Sequence, residues 1–124
     1  MSAAIEEIVD LTLDAVLNGN MECIADIEAL EEITDRLKEQ MRNRHIVRMQ
    51  KGECSIEAGF IWSDLLTNLE RTSDHCSNIA ECVTETAHNN LNVHKNVKLI
   101  KSEDEKFRER FNFYSEKYAL PKMN

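Results

Sequence analysis

Hydrophobic side chains recur every three or four residues along most of the chain, the spacing that places them on one face of an α-helix. The first such face predicts a helix over residues 2–18 and consists of Ile5, Ile8, Val9, Thr12, Val16 and Leu17. The second predicts a helix from about residue 21 to residue 50 and consists of Cys23, Ile27, Leu30, Thr34, Leu37 and Met41.

A third helix is expected from the N-cap Ser55 to about His88, with a buried face formed by Ala58, Trp62, Leu65, Leu69, Cys76, Ala80 and Val83. We expect Phe60 to pack in the core or between helices as well. Residues 89–101 show no clear periodicity and predict a linker or a frayed extension. Ser102 with Glu105 forms a capping-box pattern that predicts the start of a last helix. That helix carries Phe107, Phe111, Tyr114 and Tyr118 and ends before Pro121.

Short breaks separate these segments. Gly19 is expected as a left-handed C-cap and Asn20 as the next N-cap. Only Gly52 and its neighbours separate the two long helices, which predicts an antiparallel hairpin. With the first and last helices packed on that hairpin, the expected fold is an all-α antiparallel helical bundle.

Composition narrows the function classes. The 124 residues suffice for one domain, and three glycines with one proline argue against a β-sandwich or barrel. A net charge of −8 argues against nucleic acid and anionic membrane surfaces as partners. The four cysteines form no CxxC pair, no run approaches ~18 apolar residues, and the N-terminus lacks the features of a signal peptide. We therefore expect reduced thiols and a cytoplasmic location.

Two acidic pairs become neighbours when the hairpin is folded. Glu31 and Asp35 lie 21 and 17 residues before Gly52, and Glu70 and Asp74 lie 18 and 22 residues after it. Since each helical residue advances about 1.5 Å, Glu31 is level with Asp74 and Asp35 with Glu70. Both pairs are offset in the same direction from their apolar faces. They therefore both face a shared groove or both face away from it, and only the first arrangement forms a site.

Four clustered carboxylates would repel one another unless a cation neutralised them. The candidate cofactor is a divalent or iron cation (Mg, Mn, Ca, Zn or Fe), because carboxylate oxygens suit hard ions. Asn78, four residues past Asp74, could add an amide oxygen. His75 points away from the pairs and is expected at the surface. The alternative is that the acidic residues form an ordinary solvated helix face.

The segment LTNLERTSDHCSNIAE (residues 66–81) resembles the LERIGDHxxNIAE signature of the PhoU family of phosphate-uptake regulators. The resemblance is closer still to the PhoU-like cytoplasmic domain that follows the membrane part of bacterial Na/Pi cotransporter-family proteins. It includes residues 45–55 and the tail ending at Leu120, and so covers the chain from about Met21 onward. Thr72 and Ser73 depart from the signature, which has Ile and Gly there.

The resemblance implies an all-α fold of three-helix repeats, in which some members bind metal clusters through E/D-x-x-x-D motifs. Glu70–Asp74 falls on one such motif and Glu31–Asp35 on its partner. Residues 1–19 would then be a leading helix, the end of a preceding repeat, and residues 20–124 the PhoU-like helical domain. A chain with one repeat would be a fragment of a longer transporter or a truncated stand-alone relative.

The function implied by the resemblance is a non-enzymatic regulatory domain coupled to phosphate transport at the inner face of the cell membrane. Its expected partner is the membrane transporter portion of the same or another chain, with a homodimer as a further candidate. Two alternatives stay open at this point. One is a metal-dependent hydrolase that uses the carboxylates to activate water, and the other is a plain helical dimerisation module.

Overall fold

The computed structural model describes residues 1–88 and 93–122, with side chains described for residues 1–87 and 105–122. It contains four helices: α1 (Ser2–Asn18), α2 (Ile24–Gln50), α3 (Ile56–His88) and α4 (Val93–Lys117). No strand occurs within these described ranges, so the expected all-α bundle is confirmed.

Helix α2 lies at the centre of the bundle. It packs against each of the other three helices, and α1 also packs against α3. Arg110 of α4 forms an ion pair with Asp26 of α2. Buried side chains of all four helices meet in one core, whose members include Ala4, Ile8, Ile27, Leu30, Leu37, Cys76, Ala80 and Tyr114.

The predicted helix ends are largely confirmed. Gly19 is left-handed, with φ 65°, and the Asn20 side chain accepts a hydrogen bond from the N–H of Glu22 at 3.0 Å. Regular α2 geometry begins only at Ile24, three residues later than expected. The Ser55 hydroxyl accepts a hydrogen bond from the N–H of Ala58 at 3.1 Å, as an N-cap does.

The buried face of α1 differs from the prediction at its C-terminal end. Val16 and Leu17 are exposed, and Ala15 is buried instead. A small side chain lets the backbones of packed helices approach, which explains why alanine rather than the larger neighbours contacts the hairpin.

The predicted buried face of α3 is confirmed at Cys76 and Ala80 and is wrong in the first half of the helix. Leu65, Ala58 and Phe60 are exposed, contrary to expectation. The buried residues are Leu66, Ser73, Cys76, Ser77 and Ala80. Large apolar side chains surround the first half of this helix, so periodicity alone does not select one face. The small residues of the second half of α3 determine which face is buried, because they allow close contact with α2.

The start of α4 was predicted wrongly. The helix begins at Val93, nine residues before Ser102, so residues 93–101 are helical and the capping-box pattern does not mark an N-terminus. No glycine or proline interrupts residues 93–117, which explains why helix continues there despite weak periodicity. The rest of the expected linker, residues 89–92, lies outside the described part of the chain. The aromatic face is confirmed, with Tyr114 buried and its ring 6.3 Å from that of Tyr118.

In the described part of the chain, no helix combines the length and the apolar character that a membrane span needs.

Candidate functional site

Acidic side chains line the contact between α2 and α3. We use the name acidic row for Glu28, Glu31, Glu32, Asp35 and Glu70. The first four belong to α2, where Glu31 and Glu32 each lie three or four residues from both Glu28 and Asp35, so they share one side of that helix. Glu70 reaches the row from α3, whose Ser73 and Ser77 follow on the same side at the same spacing.

Contacts across the row confirm the predicted register of the hairpin. The Ser77 hydroxyl lies 3.5 Å from both carboxylate oxygens of Glu28. Two turns further along α2, the carboxyl of Asp35 interacts with that of Glu70. Position 28 therefore opposes position 77 and position 35 opposes position 70, as counting outward from Gly52 predicts.

Three carboxylates of the row form a compact group. Glu31, Glu32 and Asp35 each offer an oxygen, and these oxygens lie within 4.8 Å of one another. All three residues are partly buried. Glu31 and Asp35 were predicted as ligands from the sequence, whereas Glu32 was not. The sequence could have indicated Glu32, because residues three and four positions before Asp35 both lie next to it on a helix.

Crowding changes the proton affinity of this group. Burial raises the pKa of Glu31 to about 7, and the negative charge of Asp35 adds to the effect. Burial likewise raises the pKa of Asp35, assisted by the charge of Glu70. The two carboxyls share a hydrogen bond in which protonated Glu31 donates to Asp35. Near neutral pH, this shared proton therefore neutralises one of the negative charges of the row.

Two basic side chains contact carboxylates of the row. Lys38 Nζ lies 3.5 Å from Glu70 Oε2, and Arg36 Nε lies 3.5 Å from Glu32 Oε1. The Arg36 guanidinium also lies over the Phe111 ring of α4, 4.6 Å from its centroid. The carboxyl groups of Glu31, Glu32, Asp35 and Glu70 carry more negative charge than these two cations supply, and an oxygen-seeking metal ion would balance the excess.

The other two predicted ligands, Asp74 and Asn78, lie outside the compact group. Both are exposed, and Asn78 lines a groove of about 850 Å³ between α1 and α3 that His75 also lines. Asp74 follows Glu70 by four residues, so it is rotated by ~40° on the helix, which turns it toward solvent. Metal binding by the set Glu31, Asp35, Glu70, Asp74 and Asn78 therefore stays a prediction, with the geometry favouring the first three.

Ser73 adds an unexpected group to this contact. It is fully buried, and its hydroxyl has no hydrogen-bond partner among the described residues. By the register of the hairpin it is level with Glu31 and Glu32. It occupies the position where the family signature has glycine. A buried hydroxyl without a partner costs free energy, so its place beside the acidic row fits a site completed by a further polar group.

Comparisons with known proteins agree with the resemblance of residues 66–81. A protein-family model described as the PhoU domain matches residues 1–83, which span α1, α2 and most of α3. A PhoU domain indicates a regulatory rather than catalytic role in phosphate homeostasis. No curated protein and no solved structure matches the chain. Because the family match covers more than half of the sequence, the protein belongs to the PhoU family.

Proposed function

We propose that this protein is a non-enzymatic regulatory domain of phosphate transport and that a divalent or iron cation bound at the acidic row organises its α2–α3 face. The observation that carries the metal proposal is the group Glu31, Glu32 and Asp35, whose oxygens lie within 4.8 Å of one another. Glu70 stands beside it on α3. A cation there would join the two arms of the hairpin through carboxylate oxygens alone.

Electrostatics supports the same proposal. A metal ion competes with the proton shared by Glu31 and Asp35, so binding below about pH 7 would release a proton, and affinity would rise as the pH approaches about 7 and level off above it. Arg36 contacts Glu32 and Lys38 contacts Glu70. The Glu31–Asp35 pair instead shares a proton, whose place a metal ion would take.

The metal proposal is tested by isothermal titration with Mn²⁺, Mg²⁺, Ca²⁺, Zn²⁺ and Fe²⁺, together with melting curves with and without EDTA. We expect at least one of these ions to raise the melting temperature, and Glu31→Gln and Asp35→Asn to abolish that increase. Glu81→Gln is the matched control, because Glu81 is an exposed glutamate of the same hairpin. If no ion binds, or if the Glu81 variant loses as much affinity as the Glu31 variant, the metal proposal fails.

Substitutions on α3 define the extent of the site. We expect Glu70→Gln to weaken metal binding clearly and Asp74→Asn to weaken it less, because Asp74 is exposed. If Asp74→Asn weakens metal binding as much as Glu31→Gln does, the four carboxylates predicted from the sequence, including Asp74, form the site. Phosphatase activity that Glu70→Gln removes would replace the regulatory proposal with the hydrolase alternative.

The transport link is proposed from family membership and from the resemblance of residues 45–55 and 66–81 to cotransporter-associated domains. The partner would be the membrane transporter portion of the same or another chain, and the domain would lie in the cytoplasm at the inner face of the membrane. Phosphate uptake by cells that express the Glu31→Gln or Glu81→Gln variant tests this link. We expect only the first variant to alter the response of uptake to external phosphate. If uptake responds equally to external phosphate in cells with either variant, the metal site does not act in the regulation of transport.

A further inference from the structure

A small pocket lies between α2 and the C-terminal end of α4, and its volume is about 230 Å³. Apolar and aromatic side chains from both helices form part of its wall, namely Ile33, Leu37, Tyr118, Ala119 and Leu120. The rest of the wall is polar or basic and consists of Arg36, Gln40, Arg44 and Ser115. Among the described residues, no carboxylate lines the pocket, although the chain carries a net charge of −8. The pocket is therefore a locally basic site on an acidic protein.

The polar side chains of the pocket come from one side of α2 and from α4. Arg36, Gln40 and Arg44 follow one another at four-residue steps, so they lie along the same side of α2. The two arginines are separated by roughly 12 Å along the helix axis, because each residue rises about 1.5 Å. Gln40 lies midway between them, and Ser115 lines the pocket from α4. A single small anion at the level of Gln40 is thus within reach of both long basic side chains.

Arg44 brings an unbalanced positive charge to the pocket. Its side chain is partly buried, and within the described residues it forms no hydrogen bond or ion pair. It therefore does not cap the last carbonyl groups of α4 either. Gln40 and Ser115 also have no hydrogen-bond partner in this part of the chain. A partly buried guanidinium is stabilised by a counter-charge, and an anion in the pocket supplies one.

Arg36 is held in place by contacts that leave most of its donors accessible. Its Nε lies 3.5 Å from Glu32 Oε1, and the side chain is 60% exposed. Its guanidinium lies over the Phe111 ring, 4.6 Å from the centroid. An aromatic face attracts a guanidinium without using its N–H groups. The two terminal nitrogens, which carry four of the five N–H donors of an arginine, can therefore donate to an anion.

The charge and the donors of the pocket distinguish between kinds of anion. Two guanidinium groups supply two positive charges, which match the charge of about −1.5 to −2 that a phosphate group carries near neutral pH. A carboxylate carries one charge, and a single guanidinium satisfies it through two parallel hydrogen bonds. The amide of Gln40 and the hydroxyl of Ser115 provide neutral donors for further oxygens. Because pockets for drug-sized ligands begin at ~300 Å³, this one suits a phosphate group with at most a small substituent.

We propose that the pocket between α2 and α4 binds a phosphate group, either as inorganic phosphate or as a small phosphate monoester. Arg36 and Arg44 bind its oxygens from the two ends of the pocket, and Gln40 and Ser115 donate hydrogen bonds to it. The proposal goes beyond the proposed function, since regulation of transport does not require that the domain itself binds phosphate. It also needs no cation at the acidic row.

Isothermal titration of the full chain with inorganic phosphate and, separately, with glycerol phosphate tests the proposal. The protein is first freed of metal on a chelating resin, so that phosphate held by a metal ion is not counted. Chloride keeps the ionic strength constant, because salt screens exposed charges. We expect saturable binding of at least one of the two compounds, with a dissociation constant that rises about tenfold or more in Arg44→Gln.

Arg42→Gln is the matched control for this titration. It removes the same charge from the same helix, but Arg42 pairs with Glu39 at 3.8 Å and does not line the pocket. We expect it to bind phosphate as the native protein does. Arg44→Lys should bind with intermediate affinity, because lysine keeps the charge and loses the two parallel hydrogen bonds. Circular dichroism should show unchanged helix content in all three variants.

Nuclear magnetic resonance of the native chain provides a second, independent measurement. The Nε–H signals of Arg36 and Arg44 should shift during the phosphate titration with one shared dissociation constant, and that of Arg42 should not. Binding of inorganic phosphate alone identifies the free ion as the ligand, and binding of glycerol phosphate alone identifies a monoester. The proposal is overturned if neither compound binds saturably or if acetate binds as tightly as phosphate. Equal losses of affinity in Arg42→Gln and Arg44→Gln also overturn it.

Discussion

The two halves of the α2–α3 hairpin share one backbone geometry and differ in what surrounds them. In the half near α1 and α4, Leu30 lies in a core to which all four helices contribute, and Leu66 is buried as well. In the other half, Ile56 and Ile61 are equally apolar but largely exposed. Apolar side chains on a helix therefore do not define a core by themselves. They become one only where other helices cover them.

The halves also differ in their polar contacts. The covered half holds the acidic row, where partial burial keeps a proton between Glu31 and Asp35. The half near Gly52, residues 40–65, which we call the hairpin end, buries one polar side chain, His45, which packs directly on the backbone of Gly59. The first contact can respond to cations and protons, and the second sets how closely the two arms approach.

The largest expected effect is a difference between the two halves of the hairpin in how much an alanine substitution lowers the free energy of unfolding. Leu30→Ala should lower the free energy of unfolding by about 3 kcal/mol, because it leaves a cavity in the shared core. Ile61→Ala should change it by less than ~0.5 kcal/mol, because the side chain is largely exposed. Urea denaturation of both variants, at concentrations low enough to keep the chain monomeric, measures the difference. Equal losses would mean that the hairpin end is covered within the monomer.

Gly59→Ala tests the one close contact of the hairpin end. A Cβ atom at this position would lie 2.7 Å from His45 Nε2 and 3.3 Å from Met49 Sδ. We expect a loss of about 2 kcal/mol, since overpacking forces the two arms apart. The double variant His45→Ala/Gly59→Ala should recover most of that loss in urea denaturation. A double variant that is less stable than either single variant would contradict the steric explanation.

Glu31→Gln tests the acidic row through its pH dependence in metal-free protein. The raised pKa of Glu31 means that folding favours the protonated form. This carboxyl therefore costs little at about pH 5 and destabilises the fold increasingly as the pH rises toward about 8. Glu31→Gln should stabilise the protein by ~1 kcal/mol at high pH, a value reduced for solvent screening, and by much less at low pH.

Thermal melts across this pH range, with Glu81→Gln as the control, measure the effect. A Glu31→Gln variant whose pH profile follows that of the native protein would mean that Glu31 ionises like an ordinary solvated glutamate.

Ser73→Ala has the smallest expected effect on the free energy of unfolding. We expect it to stabilise the fold, whereas truncation of a buried side chain normally destabilises it. The hydroxyl is buried without a partner among the described residues, so its removal from metal-free protein should stabilise the fold by up to about 1 kcal/mol. Ser77→Ala is the comparison, because its hydroxyl donates to Glu28 and its loss should destabilise. A destabilised Ser73→Ala protein would indicate that the hydroxyl has a bound water or another partner.

Positions along the helix axes were predictable from the sequence. The caps at Gly19 and Ser55 follow from local conformational preferences. The pairing of Asp35 with Glu70 follows from a constant rise per residue counted outward from Gly52. Both need only the chain itself, which explains why the hairpin and its register were predicted correctly.

Only the tertiary structure decided which way each side chain turns. Leu66 rather than Leu65 is buried, and Glu70 faces α2 while Asp74 faces solvent. A rotation of some tens of degrees about a helix axis leaves the hydrophobic period unchanged but alters which residues touch a neighbour. Small residues such as Ser77, whose hydroxyl contacts Glu28 of α2, allow the close approach that sets this rotation. The positions of residues along the helix axes thus follow from the sequence, whereas the set of side chains that form the acidic row depends on how the helices pack.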